Sequence, residues 1–318
     1  MAGKLSIGDV RLKNRLLLAP LVDVSDLPFR IVCRKAGAAM AYVEMLNISA
    51  ILHANKNAER LLETSRGDSP SGVQITGKTV DEFERVVPHV EKFDVVDINC
   101  GCPSIRITDN GSGSFLLKNP GKIGEMVRAL KDAGVTTTAK IRLGFKENNV
   151  IKVAKIIEKA GADAITVHAR LAFHGRDVPA DWKWIAKVKK SVGIPVIGNG
   201  DVFTGPQAEG MLDLADGAMV ARAAIGDPFV FERMLHYLKT GKEREFDPRK
   251  NMRAFREYLE LEKRRPGHGI GGVKSVGAHF VRGFPGAARA RAELMKMKSI
   301  DEILKFAKDK IEDRLSVA

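Results

Sequence analysis

Cysteine is scarce in this 318-residue chain: only Cys33, Cys100 and Cys102 occur. An odd, sparse count with no secretory signal excludes a disulfide framework and points to a reducing cytoplasm. Cys100 and Cys102 lack further Cys or His at ligand spacing, so they are half a zinc set and no metal is expected. No run approaches the ~18 apolar residues of a membrane span. The opening Met1-Ala2-Gly3-Lys4 carries no apolar leader, so no membrane is expected, and no feature of the sequence calls for an obligatory protein partner. No Gly-x-Gly-x-x-Gly turn follows the first apolar run, which argues against a dinucleotide-binding domain of the doubly wound kind.

What the chain has in quantity is positive charge and apolar core. Lys and Arg number 52 against 39 Asp and Glu, a net of +13, with 44% apolar residues. That balance favours a polyanionic partner, nucleic acid before membrane. The excess is concentrated at the end: residues 241–318 hold 19 Lys/Arg against 12 Asp/Glu, a net of +7. The competing reading is a set of solvated helix faces.

After a short hairpin (Leu5–Ile7 with Val10–Leu12), strand-length apolar runs alternate with amphipathic helical patterns. The runs are Leu16–Ala19, Met40–Val43, Gly72–Ile75, Val95–Asn99, Thr138–Ile141, Ala164–Val167, Pro195–Gly198 and Gly217–Ala221. Eight such units predict an α/β fold, a (β/α)8 TIM barrel over residues 1–240. From 241 to 318 the strand pattern stops. Helical patterns at Arg253–Arg264, Gly272–Val281, Ala287–Met295 and Ile300–Ile311, broken at Pro266-Gly267 and at Gly283-Phe284-Pro285-Gly286, predict a small basic all-helical domain.

A barrel of this type carries its chemistry where strands end. The residues there are Pro20, Leu21, Val22 and Asp23; Glu44; Gln74; Asn99 with Cys102; Lys140 with Arg142; His168 with Arg170; Asn199-Gly200-Asp201; and Ala221-Arg222. Alone, each has an inert explanation, such as a cap, a satisfied core polar group or a solvated cation; together they form a candidate site. A thiol on the Gly101–Pro103 turn can move a proton or attack a substrate. Asn199-Gly200-Asp201, the loop into Thr204, and Arg222 suit a phosphate after the seventh and eighth strands. Lys140 can sit beside a ring that becomes anionic on reduction, and Gln74 can meet a pyrimidine-like edge. These features fit FMN better than FAD or tightly held NAD.

Several stretches resemble the tRNA-dihydrouridine synthases. They are Leu18-Ala19-Pro20-Leu21-Val22-Asp23-Val24-Ser25-Asp26-Leu27-Pro28-Phe29-Arg30, Gln74-Ile75-Thr76-Gly77, and Asp97-Ile98-Asn99-Cys100-Gly101-Cys102-Pro103. Lys140-Ile141-Arg142-Leu143-Gly144, His168-Ala169-Arg170 with Ala180-Asp181-Trp182, Gly198-Asn199-Gly200-Asp201-Val202 and Asp216–Arg222 follow in the same order. The resemblance implies an FMN enzyme that reduces the C5–C6 bond of uridine in tRNA, with NADPH (or NADH) as electron donor. Carried over by position, it implies that Pro20, Leu21, Val22, Gln74, Lys140, Asn199, Gly200, Asp201, Ala221 and Arg222 hold FMN. His168 would serve the cofactor and border the substrate, Cys102 would be the general acid, and Asn99, Arg142 and Arg170 would face the substrate. The implied tRNA grip is the basic tail, in two groups: Arg249, Lys250, Arg253, Arg256, Lys263, Arg264 and Arg265, then Arg282, Arg289 and Arg291.

The chain also departs from the family's usual residues. Leu21, Val22 and Asp23 stand for the commoner Met, Ala and Gly, and Leu171, His174, Arg176 and Val178 for the usual Thr, Gln, aromatic and Gly. Cys100 reads as a packed hydrophobe pointing away from Cys102 by strand alternation. Two alternatives stay open. One is a free-pyrimidine reductase similar to dihydroorotate or dihydropyrimidine dehydrogenases, which needs no basic tail; the other is an RNA-binding barrel without flavin.

Overall fold

The apolar runs become strands because a parallel sheet covered by helices buries both faces, where β-branched side chains pack well. The structure, a computed structural model, describes residues 4–175, 177–265 and 268–312, so Arg176 and the Pro266-Gly267 break lie outside the described residues. Strands β1 (Leu5–Ile7) and β2 (Val10–Leu12) pair as an antiparallel hairpin. Eight parallel strands follow: β3 (Leu16–Leu18), β4 (Met40–Asn47), β5 (Ser71–Thr76) and β6 (Val95–Cys100), then β7 (Thr137–Arg142), β8 (Ala164–His168), β9 (Val196–Asn199) and β10 (Gly217–Val220). Strand β10 pairs with β3, Ala218 opposite Leu16, and this closes the expected (β/α)8 barrel.

The predicted helices stand between the strands, at Val80–Val90, Pro120–Asp132, Val150–Lys159, Lys183–Lys189 and Gly205–Leu214. Thr79 and Glu82 start the first of these with a reciprocal capping box, which satisfies donors that would otherwise face no partner. One strand differs from expectation. The run Met40–Val43 continues to Asn47 through an irregularity between Val43 and Leu46. Glu44, expected at the strand's end, therefore lies within β4, buried, where its carboxylate accepts from the Asp23 N–H at 2.5 Å. A tertiary partner for the charge overrides the polar stop signal.

The last barrel helix, Val230–Thr240, ends on Gly241 in the left-handed region at φ 69°, and four helices follow among the described residues. They span Pro248–Arg264, Ile270–Phe280, Ala287–Leu294 and Ile300–Glu312. They share the barrel's core: Phe255 and Phe280 stack at 5.2 Å, and Phe29 of the Leu27–Lys35 helix meets Phe280 edge-on at 6.4 Å. Asn251 Nδ2 donates to Gly226 O and Phe280 O across the same contact. The Leu27–Lys35 helix is anchored below by a fully buried ion pair, Arg30 Nε to Asp68 Oδ2 at 2.8 Å.

Candidate active site

A cavity of about 410 Å³ opens where the strands end, a volume in the range of small-ligand sites. Of the residues expected to hold a cofactor, Pro20, Leu21, Lys140, His168, Asn199, Gly200, Asp201, Ala221 and Arg222 line it. Arg142 and Arg170, expected at the substrate, line it too. The sequence reading had not singled out Phe203, Met219 or Pro103 among the walls. Phe203 reads as an ordinary apolar loop residue, and only its place beneath the Arg222 guanidinium, 5.1 Å away, gives it a role.

Val22, Gln74, Asn99 and Cys102 stand outside this lining. Val22 is exposed on the loop after β3. Gln74 and Asn99 are buried behind the wall in a chain of hydrogen bonds whose directions are dictated one by one. The Asp97 carboxylate accepts from Thr138 Oγ1 and from Gln74 Nε2, both at 2.7 Å. With its NH2 so placed, Gln74 turns its oxygen to Asn99 Nδ2 at 2.7 Å. Asn99 Oδ1 then faces the turn and accepts from the N–H groups of Gly101 (3.1 Å) and Cys102 (2.9 Å). In this structure Gln74 and Asn99 are engaged in setting the cysteine turn, and neither lines the cavity.

The far side of that turn is equally constrained. Ser114 N–H donates to Cys102 O at 3.0 Å, and Arg142 Nε donates to Gly101 O at 2.9 Å. Gly113 must be glycine here: its φ is +61° and a Cβ would lie 2.8 Å from Cys102 O. Cys102 is part-exposed, whereas Cys100 is buried, its thiol pushed up by burial and by the nearby Asp97. The two cysteines face different environments, but strand alternation is not the cause, since residues two apart share a face: β6 ends at Cys100, and Cys102 lies on the turn beyond it.

Charge defines the cavity. Four cations, Lys140, Arg142, Arg170 and Arg222, share it with one carboxylate, Asp201. Burial, then Arg142, lowers Lys140 to about 8. Burial, then Arg170, lowers Arg142 to about 10. Burial and the surrounding cations push His168 down to about 2, so its imidazole is neutral. Because Arg170 can only donate, its contact of 3.1 Å to His168 Nε2 makes that nitrogen the acceptor and leaves the proton on Nδ1. Burial raises the Asp201 carboxyl, but the hydrogen bonds from Arg170 and Ala180 N–H outweigh it and hold the group below its ordinary value. Asp201 ties Arg170 (2.6 Å) to Arg222 (2.9 Å).

These residues fit a flat, phosphorylated, electron-accepting ring. The crowding of buried cations is relieved by an anion, Leu21, Met219 and Ala221 offer apolar surface, and Lys140 can face negative charge on a reduced ring. The loop after β3 that carries Pro20 and Leu21 is held from below. Leu21 N–H donates to Ser25 Oγ at 2.8 Å, and the Asp23 N–H donates to Glu44, whose carboxyl burial raises to about 7. Asp23, where relatives carry Gly by the resemblance above, adopts φ 61°.

Fold and site together define a (β/α)8 barrel with a cationic cavity where its strands end. The fold is shared with morphinone reductase (TM-score 0.55, 15% identity, 78% of this chain and 91% of that one). It is shared also with an old yellow enzyme homologue from Zymomonas mobilis (TM-score 0.54, 13% identity, 77% and 94%). Residues 17–316 match the dihydrouridine synthase family model. The chain is 33% identical to a probable tRNA-dihydrouridine synthase 1 of Synechocystis over 100% of this chain and 91% of that protein. It is 32% identical to tRNA-dihydrouridine synthase B of Pseudomonas aeruginosa over 93% and 92%. The chain belongs to the dihydrouridine synthase family, and it is an oxidoreductase.

Proposed function

We propose that this enzyme reduces the C5–C6 double bond of uridines in tRNA, with FMN in the barrel cavity, NADPH as reductant and Cys102 as general acid. The observation that carries the reading is the Asp97–Gln74–Asn99 chain, which spends three buried side chains on orienting one thiol turn beside a cationic cavity. The reduced flavin, when bound, supplies a hydride to C6 of the uracil. Pro20, Leu21, Lys140, Asn199, Gly200, Ala221 and Arg222 would hold it, with Lys140 at the ring and Arg222 at the phosphate end.

The protein's own part is proton delivery and charge. Cys102 gives its thiol proton to C5, so hydride and proton together complete the saturated bond. Lys140 and Arg142, both close enough for their charges to act on Cys102, stabilise the thiolate that remains. Neutral His168 can donate from Nδ1 without adding a fifth positive charge. Residues 241–318 contribute cations for the rest of the RNA. Many of these are partly committed: Lys250 pairs with Glu232, Arg256 with Glu260, Lys263 with Asp301 and Arg282 with Asp227, while Arg291 donates to Val281 O. The exposed pairs among them, Arg256–Glu260 and Lys263–Asp301, are weak and can yield to phosphate. The reading places the enzyme in the cytoplasm, where free thiols stay reduced.

The test is dihydrouridine mapping along tRNA after incubation with the purified protein, FMN and NADPH. Cys102→Ala should keep flavin and tRNA binding yet fail to turn over; full turnover by that variant would overthrow the acid assignment. Turnover of free uracil or orotate but not tRNA would transfer the protein to the free-pyrimidine reductases. A flat response of the apparent KM for tRNA to salt would remove the phosphate grip.

A further inference from the structure

Among the described residues, six large apolar side chains are exposed, and five of them stand on the connections, loops or short helical turns, that follow barrel strands. They are Val22 after β3, Ile105 and Phe115 after β6, Phe173 after β8 and Phe203 after β9; only Met295 lies elsewhere. Exposed apolar side chains gathered on one face mark a contact surface, and here that face is the mouth of a cationic cavity. Two of the three aromatics have cover within the chain. Phe203 lies under Arg222, and Phe115 meets Phe145 at 6.0 Å with Lys118 over both rings.

Phe173 is different. It is 66% exposed, and among the described residues its ring neighbour is His174, edge-on at 4.5 Å, which itself lines the cavity. The turn beneath it is not loose. His174 N–H donates to Leu171 O at 3.2 Å and Ala172 N–H to Gly144 O at 2.9 Å, while Arg142 Nη1 donates to Leu171 O at 2.8 Å. A cavity-wall arginine therefore holds a bare aromatic ring at the rim. The same loop carries Leu171, His174 and Val178, where the resemblance given above implies other residues.

We propose that Phe173 is a base-stacking residue for the RNA strand next to the target uridine, and so helps to select the substrate position. This rests on the tRNA reading given above. A uridine can enter the cavity only by leaving its stack, and its neighbour in the strand then needs a replacement face. An exposed ring beside four cavity cations offers that face together with attraction for the flanking phosphates.

The experiment uses the flavin-loaded full chain. Phe173→Ala should raise the apparent KM for tRNA by roughly fivefold to a hundredfold, the range of one lost base–aromatic stack. Flavin content, the rate of flavin reduction without tRNA, and the slope of binding against salt should stay as in the wild type, since no phosphate contact is removed. Phe173→Trp should keep turnover, and its added emission, over that of Trp182 and Trp184, should be quenched on titration with tRNA. A wild-type KM in Phe173→Ala, full function in Phe173→Leu, or an unquenched Phe173→Trp would each overturn the stacking role. If the wild type makes no dihydrouridine, the functional reading fails, while the fluorescence titration still decides whether Phe173 meets a base.

Discussion

Asn99→Ala tests the chain of hydrogen bonds that positions the thiol. The Asn99 side chain makes three bonds, to Gln74 Oε1 and from the N–H groups of Gly101 and Cys102, and all three partners are buried or part-buried. Removing it strips one acceptor and two donors of their partner. At about 1 kcal/mol net for each lost bond, the folded state should lose about 3 kcal/mol, less where cavity water enters to replace the amide. The larger effect should be kinetic. A turn freed to shift by about 1 Å misplaces the proton donor, a change that costs on the order of a hundredfold in rate. The assay is single-turnover dihydrouridine formation by the pre-reduced enzyme, run in H2O and D2O, beside flavin content and tRNA titration. We expect a hundredfold slower reaction with a larger solvent isotope effect, a normal flavin spectrum and a KM for tRNA near that of the wild type. An unchanged rate with a raised KM would refute the positioning argument and return Asn99 to the substrate contact that the resemblance implies.

Three further outcomes follow from the same geometry. Lys140 titrates near 8 because burial and Arg142 oppose its charge, so affinity for FMN should fall as pH rises through 8, the cation being present below that value and lost above it. Lys140→Arg should make the profile flat between pH 7 and 9 in a flavin-fluorescence titration. Gly113→Ala places a Cβ 2.8 Å from Cys102 O at a positive φ, so it should cost more than about 1 kcal/mol in denaturant melts and slow turnover without loss of flavin. Arg30→Met leaves Asp68 buried without its partner and should destabilise by about 3–5 kcal/mol, whereas Arg30→Met with Asp68→Leu should recover most of that loss in thermal melts.

Much of the site was legible because barrel chemistry sits at strand ends, and strand ends can be read from apolar runs. Lys140, Arg142, His168, Arg170, Asn199, Asp201 and Arg222 each close such a run, and all line the cavity. Glu44 was misplaced because a polar residue reads as a stop, whereas the bonded Asp23 N–H lets a carboxylate stay inside β4. The separate appearance of the basic tail also reflects local pattern alone. Its helices carry the Phe255–Phe280 stack that packs on Phe29, more than 200 residues earlier in the chain, a contact no periodicity announces.

By itself, then, the sequence determined the eightfold alternation, the closing residues of the strands, and the family. Those properties are local, set by apolar period and motif order. Only the tertiary structure decided which partners Gln74 and Asn99 take, since these depend on which neighbouring strand offers Asp97 and which turn offers free N–H groups. It likewise decided that Phe173 stands uncovered at the mouth, because exposure belongs to the packed surface rather than to the residue. Hydrogen-bond direction and solvent access arise between segments distant in sequence, and the barrel brings those segments together.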